Sequence, residues 1–424
     1  MRAASSILDE LTVTRPDALR REKSVAAAPG PAPPRTWLMT GHKDGDNAQI
    51  QGLCEALGWP FEIKRFVYRP TELLTNLALG PNLLGIRRRL SSALEPPWPE
   101  LIISAGRRNE PVCRWIQARA AEAGVRTRLV HVGRSWARIE LFDLIVTTPQ
   151  YRVPDRRNVL QNDASLHRVT EERLEAEAAI WAGRLAHLPR PYVAVALGGR
   201  AGPYDLDPAA AALLGRWASH MAEEHGGSVL VTTSRRTPAE SMPALRAAIT
   251  APSFIYQWSK DAREGRDNPY FGMLGLAERI IVTCDSMSML AEACSTKKPV
   301  FIFDLDGGRD SHRPPWPAGE EPPRFRRPWW HRLRLQPLVY RIGMITGPKR
   351  LTRDVRVIHR KLIESGRAVW LGQDFPDRGE RMPPLNDIER AVARVRALFA
   401  DEHGAPAVAT TGPVSAAAET KAVA

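Results

Sequence analysis

The chain has 424 residues, 43% of them hydrophobic, and its 60 Lys and Arg exceed its 47 Asp and Glu to give a formal charge of +13. That length and apolar content exclude a wholly disordered or fibrous chain and favour two packed domains. The positive charge calls for an anionic partner: a phosphorylated metabolite, an anionic lipid or a nucleic acid. The four cysteines, Cys54, Cys113, Cys284 and Cys294, form no closely spaced pair of the kind zinc sites use, so neither a metal site nor a structural disulfide is expected. No apolar run reaches the roughly 20 residues that span a bilayer. A cytoplasmic protein, free or peripheral on a membrane, is expected.

Residues 1–34 end in the Pro/Ala stretch AAAPGPAPP and read as a disordered leader. TWLMTG then predicts a first strand running into the loop GHKDGDNAQ, and Ile50, Leu53, Cys54 and Leu57 give the following segment one apolar helical face that Gly58 ends. Further strands are predicted at FEIKRFVY, ELIISAG, RLVHVG and FDLIVTT, with a helix at EPVCRWIQARAAEAG. After the polar helix TEERLEAEAAIWAGRL the pattern restarts, with strands at YVAVALGG, SVLVTTS, SFIYQW, RIIVTC and PVFIF. Strands alternating with helices imply parallel sheets covered on both faces.

The predicted fold is therefore α/β, two doubly wound Rossmann-like domains facing across a cleft. Residues 35–175 form the first and 176–400 the second. An Arg-, Pro- and Trp-rich insertion occupies 308–350, and residues 401–424 read as a disordered tail. Open sheets of this kind bind ligands beyond the carboxyl ends of their strands.

The stretch VTCDSMSMLAEAC predicts a strand, a turn at Asp285 and Ser286, and a helix. The first N–H groups of a helix lack internal partners and its dipole is positive there, which suits a phosphate; the hydroxyl of Ser286 or Ser288 adds a donor. Glu292 lies about 6 Å further along the axis, at ~1.5 Å per residue, where a carboxylate could accept from ribose hydroxyls. Its neighbours Leu290, Ala291 and Ala293 place it on a packed helix. The plainer alternative is a helix cap at Asp285 or Ser286 and a solvated Glu292.

NPYFGMLGLAERIIVTCDSMSMLAEACSTKKPV, with GHKDGDNAQ, SRRTP and NVLQNDASLHRV, resembles the elongated-mitochondria (Elm-type) mitochondrial fission family, which has many bacterial members, over residues 37 to about 305. The resemblance implies a GT-B-like fold with a nucleotide-sugar cleft. In UDP-sugar enzymes of that fold a strand-Ser-helix element holds the diphosphate and a Glu six residues later holds the ribose, roles that fall on Ser286 and Glu292. It also assigns acceptor contacts and a catalytic base to the first-domain loop, where His42, Asp44 and Asp46 are the candidates.

The loop after the first strand of the second domain carries Gly198 and Gly199, and the next carries Ser234, Arg235 and Arg236, whose guanidiniums could clamp a diphosphate bidentately. Tyr256, Gln257 and Trp258 lie near where such enzymes hold the base, although core packing also explains the aromatics. The resemblance implies that many relatives carry His-Asp where this chain has TTPQYRVP, so Asp163 and His167 are the substitutes for a base there, although a structural role also explains the lone His167. The expected ligand is a nucleotide-sugar acting as donor substrate, with no cofactor and no metal. Residues 324–341, where Trp and Leu interleave with Arg, could meet an anionic membrane or fold over the cleft as a flap; nucleic acid is the weaker partner, since no recognised module appears. Glycosyl transfer to an acceptor is the expected function. A non-catalytic adaptor at a membrane, keeping the same fold in a fission-like role, is the alternative.

Overall fold

The computed structural model describes residues 32–69, 80–259, 267–305, 352–376 and 385–400, with the isolated positions 342, 345 and 346. The predicted leader (but for 32–34), nearly all of the 308–350 insertion, with residues 324–341, and the predicted tail lie outside the described residues.

Two parallel six-stranded sheets dominate the molecule. The first runs in the order β2 (Phe61–Arg65), β1 (Thr36–Thr40), β3 (Leu101–Ala105), β4 (Arg128–Val132), β5 (Leu144–Thr147) and β6 (Val159–Gln161). Its strands β3, β4 and β5 are buried throughout, as near-continuous apolar runs in a sheet covered on both faces should be. Helices α1 (Asp44–Leu57) and α2 (Glu110–Glu122) follow β1 and β3, and Ile50, Leu53, Cys54 and Leu57 form the buried stripe of α1 that the sequence predicted. Strand order reverses between β1 and β3, so the loops after those two strands border the crevice of this lobe.

The second sheet has the order β12 (Val369–Trp370), β11 (Val300–Phe303), β10 (Arg279–Thr283), β7 (Tyr192–Ala196), β8 (Ser228–Thr232) and β9 (Ser253–Tyr256). Counted from β7, this is the doubly wound dinucleotide-fold order, and it reverses between β7 and β10. The helices of this half are α3 (Glu171–Leu185), α4 (Pro208–Glu223), α5 (Met242–Ala248), α6 (Tyr270–Leu276), α7 (Met287–Cys294) and α8 (Arg356–Glu364). Leu290, Ala293 and Cys294 of α7 join the large core that holds Val193, Leu230, Ile281 and Ile302. Two doubly wound parallel lobes make the fold α/β and GT-B-like.

The last described helix, α9 (Asp387–Ala400), falls in the stretch 176–400 that the sequence assigns to the second domain, yet it packs on the first lobe. Its Ala391 and Val395 pack in the first lobe's core with Leu38, Ile50, Leu53 and Val130. The Asp387 carboxylate accepts from the backbone N–H groups of Asp163 (3.0 Å) and Ala164 (2.8 Å), and Arg396 donates to the Leu57 carbonyl at 3.1 Å. An apolar stripe shows that a helix has a buried face but not which sheet covers it, and here the chain crosses back to the first. All four cysteines are buried free thiols, and burial pushes Cys54, Cys113 and Cys294 up to about 12, which makes them inert packing groups. Among the described residues no helix is long and apolar enough to cross a membrane.

Candidate functional site

The loops after β7, β8 and β10 meet at the point where the second sheet reverses. Gly198 N–H donates to Thr283 Oγ1 at 2.8 Å, Thr283 Oγ1 donates to Asp285 Oδ1 at 2.7 Å, and Gly199 N–H donates to Asp285 Oδ2 at 3.0 Å. Ser234 Oγ and Thr237 Oγ1 both donate to the Gly198 carbonyl, at 2.8 and 2.7 Å. The two glycines are required by space: a Cβ on Gly198 would fall 2.2 Å from Asp285 Oδ1, and one on Gly199 would fall 1.9 Å from the Arg236 carbonyl oxygen.

Asp285 is 2% exposed and pairs with Arg236 Nη1 at 2.8 Å. Burial pushes its carboxyl above the usual range, while Arg236 and the bonds from Thr283 and Gly199 pull it back down. Asp285 is thus the tie between three loops and not a helix cap. Arg236 is engaged in neutralising it, and Arg235 points elsewhere. Its Nη1 donates to the His42 carbonyl at 2.8 Å and its Nε lies 3.6 Å from Asp44 Oδ2, so it bridges to the first lobe. The predicted clamp of two free guanidiniums is therefore a lobe bridge and a buried ion pair.

Ser286 stands at the N-cap of α7, buried, with no capping bond from its side chain. Ser288 follows one residue into the helix and faces the first lobe, since a Cβ on Gly45 would lie 3.3 Å from its Oγ. Glu292 is 7% exposed and accepts a hydrogen bond from the Tyr270 hydroxyl at 2.5 Å. Burial raises its carboxyl to about 7, against the lowering pull of Tyr270 and of Arg173 and Arg168. Tyr270, on α6, was not singled out by the sequence; its side chain is half-buried, and its hydroxyl is held well above the ordinary range by burial and the facing carboxylate.

His42, Asp44 and Asp46 sit where β1 ends and α1 begins. Asn47 fixes that turn by accepting from Gly41 N–H at 2.9 Å and donating to the Gly41 carbonyl at 2.8 Å. His42 stacks edge-on against Tyr68 with ring centroids 5.8 Å apart, and Arg108 Nη1 lies 3.1 Å from its Nε2. Burial, Arg108, Lys43 and Arg235 all lower its pKa, so the imidazole is neutral at pH 7 and able to take a proton. Asp46 lies 3.9 Å from Lys43 Nζ. The structure thus brings His42, Asp44, Arg235, Gly45 and Ser288 to one seam between the lobes. Arg108 and Tyr68 belong to it as well, and no local sequence signal marks either.

Other predicted residues go elsewhere. Asp163 pairs with Lys361 at 2.7 Å on the surface. His167 is buried, accepts from Val169 N–H on Nδ1 at 3.3 Å and lies 2.7 Å from Ser295 Oγ through Nε2, which makes it a structural strut between lobes. Trp258 N–H donates to Thr233 Oγ1 at 2.8 Å. A separate small hollow in the first lobe is lined by Gln49, Thr147, Tyr151 and Asn162, and there Thr147 Oγ1 and Asn162 Oδ1 have no hydrogen-bond partner among the described residues.

A two-lobed α/β protein, with glycine-containing loops tied together at a sheet switch point and a polar seam facing them, is the class these observations define. A family profile described as mitochondrial fission ELM1 matches residues 44–314, well over half the chain, and the chain belongs to that family. The mitochondrial fission protein ELM1 of Arabidopsis thaliana is 26% identical over 255 residues, which cover 54% of this chain and 57% of that protein; the match spans little more than half of that relative. An uncharacterized protein of Rickettsia prowazekii (strain Madrid E) is 22% identical over 299 residues, 63% of this chain and 82% of the relative. Among solved structures, a UDP-GlcNAc 2-epimerase from Methanocaldococcus jannaschii overlaps with a TM-score of 0.42 at 11% identity, covering 86% of this chain and 99% of the other. A glycosyltransferase from Rickettsia africae overlaps with a TM-score of 0.37 at 11% identity, covering 88% and 99%.

Proposed function

We propose that the chain binds a nucleoside diphosphate sugar between its lobes and transfers the sugar to an acceptor held by the first lobe. The observation that carries this reading is Glu292: a carboxylate 7% exposed, raised to about 7, on the helix whose N-terminus opens at the switch point of the second sheet. A buried carboxyl with no cation bonded to it costs stability, and such groups gather where a ligand supplies the missing donors. The diphosphate would lie against the first N–H groups of α7 with the Ser286 and Ser288 hydroxyls, and the ribose hydroxyls would donate to Glu292. Asp285 would be tolerable beside a diphosphate because Arg236 already neutralises it.

His42 is the base this reading favours, being neutral at pH 7 and in the seam. Asp44 and Asp46 stand beside it. Charge would develop on the departing diphosphate, where the helix terminus and Arg235 could stabilise it once Arg235 turned from Asp44. A thermal-shift screen over nucleotides and nucleotide-sugars tests the binding step: a ligand at 100 times its dissociation constant should add about 2.7 kcal/mol of stability. No shift with any of them would remove this reading.

A second reading is the membrane adaptor. It is favoured by the occupation of both arginines: Arg235 spans to the His42 carbonyl and Arg236 to Asp285, so the seam is closed by the protein's own groups. The name of the Arabidopsis relative, a mitochondrial fission protein, agrees with it. An adaptor would show no nucleotide binding and no loss of function on replacing His42.

A further inference from the structure

We infer that the outer edge of the first lobe docks on an anionic lipid bilayer, through a face built by β2 and the segment 80–92 that lies beside it. This surface lies outside the nucleotide site and does not depend on the nucleotide being bound. Along β2 and its continuation the chain alternates strictly: Lys64, Phe66 and Tyr68 turn inward, whereas Ile63, Arg65, Val67 and Arg69 are exposed. The inward set is well anchored, since Lys64 Nζ donates to the Ala93 carbonyl at 3.1 Å and lies 4.1 Å from the Trp37 ring, and Ile86 is buried beneath Tyr68.

Segment 80–92 is locked to this strand by Arg69 N–H on the Gly85 carbonyl (2.9 Å), Arg87 N–H on the Val67 carbonyl (2.7 Å) and Ser92 N–H on the Arg65 carbonyl (2.9 Å). It brings Leu84, 56% exposed, and Leu90, 62% exposed, to the same edge, with Arg87, Arg88 and Arg89 exposed between them. None of Arg69, Arg87, Arg88 and Arg89 has a carboxylate partner among the described residues. The one carboxylate in these two segments is Glu62, which is paired with Lys64 at 2.6 Å.

Four exposed aliphatic side chains interleaved with four unpaired guanidiniums on one rigid edge match the chemistry of a bilayer interface, which takes apolar side chains between acyl chains and cations at the phosphates. Nucleic acid would satisfy the arginines but leave the leucines in water. The edge also touches the seam: Tyr68, whose backbone bridges Ile86, packs on the His42 ring. A bilayer held there lies one strand from the candidate base, which suits an amphiphilic acceptor.

The test is co-sedimentation of the full chain with phosphatidylcholine vesicles, with and without about a third phosphatidylglycerol. Binding is expected to the anionic vesicles and to fall with salt. Each surface arginine contributes about fivefold, so the triple variant Arg87→Ser, Arg88→Ser, Arg89→Ser should bind about a hundredfold more weakly. The pair Leu84→Ser and Leu90→Ser should weaken binding without changing its salt dependence. All five positions are exposed, so both variants should melt as the parent does. Binding by the triple variant equal to the parent's would overturn the assignment to this edge. So would equal binding to neutral and anionic vesicles, or duplex nucleic acid bound by the parent where vesicles are not.

Discussion

The Tyr270 hydroxyl, at the start of α6, donates to Glu292 of α7 at 2.5 Å, and it is the one hydrogen bond to that carboxylate among the described residues. Glu292 lies 7% exposed on the inner side of α7, so the pair is an acid held in a dry pocket by a neutral donor. The arrangement has a cost for the folded chain and a use for a ligand with hydroxyls to give.

The cost is measurable through pH. Burial raises Glu292 to about 7 in the folded chain, from 4.5 when free, so the folded state holds the proton over that interval while the unfolded state releases it. Stability from this group is therefore present below pH 4.5, falls as pH rises to about 7 and then levels off. Glu292→Gln should match the parent in urea denaturation at pH 4.5 and exceed it at pH 8, by roughly 2–3 kcal/mol at about 1.4 kcal/mol per unit. Equal stability of the two at both pH values would show that the carboxyl is not raised.

Tyr270→Phe removes the donor and leaves the ring. The variant should lose about 1 kcal/mol at pH 8, where Glu292 is charged, and less at pH 5, where it is protonated. Denaturant midpoints at the two pH values check the difference.

His131 and His359 carry the opposite sign. Both are fully buried and depressed to about 4 by burial, and His359 Nε2 lies 2.7 Å from the Cys284 carbonyl. A histidine depressed in the folded state stabilises it above the unfolded pKa near 6.5, and that contribution is lost as pH falls from there towards 4. His359→Gln should therefore show a shallower loss of melting temperature between pH 6.5 and 4 than the parent does. A parallel pair of curves would contradict the depressed value.

Arg236 and Asp285 form a partly buried pair at 2.8 Å, and such pairs are costly to break from one side because a buried charge is left alone. Arg236→Ala should destabilise by about 2–4 kcal/mol, and adding Asp285→Asn should restore part of it. Arg235→Ala, at a more exposed bridge, should cost under about 1 kcal/mol. A double-mutant cycle on the first pair separates the coupling from the separate losses.

Much of this architecture is legible in the residues. The apolar runs of β3, β4, β7 and β10 and the stripe of α1 give the alternating α/β plan directly. Strands β6 and β12, three and two residues long, are too short to carry a period, and they are held by their neighbours in the sheet. Leu290, Ala291 and Ala293 foretell that Glu292 is buried, whereas Tyr270, 22 residues earlier, reaches it only through tertiary packing. Likewise the position of Arg235 and Arg236 at a strand end is readable, but their partners, His42 and Asp44 in one case and Asp285 in the other, lie far along the chain. The return of α9 to the first lobe depends on the whole fold and leaves no local mark.

Catalysis by the first lobe is separable from donor binding. His42→Gln should lower turnover of any sugar transfer tenfold or more while leaving nucleotide affinity within a factor of about two, because the side chain lies across the seam from α7. Single-turnover rates and equilibrium binding on the same variant check this, with Asp44→Asn and Asp46→Asn beside it. Unchanged turnover in all three would remove the base from this loop.

The most direct test of the nucleotide site is titration calorimetry of UDP, GDP, ADP and CMP into the parent and into Glu292→Ala at pH 8. The parent should bind a nucleoside diphosphate, and the variant, still folded, should bind it about tenfold to a hundredfold more weakly, as expected for the loss of a charge-assisted hydrogen bond worth roughly 1.5–3 kcal/mol. Tight binding that the substitution leaves unchanged, or no binding of any of the four by the parent, would contradict the site.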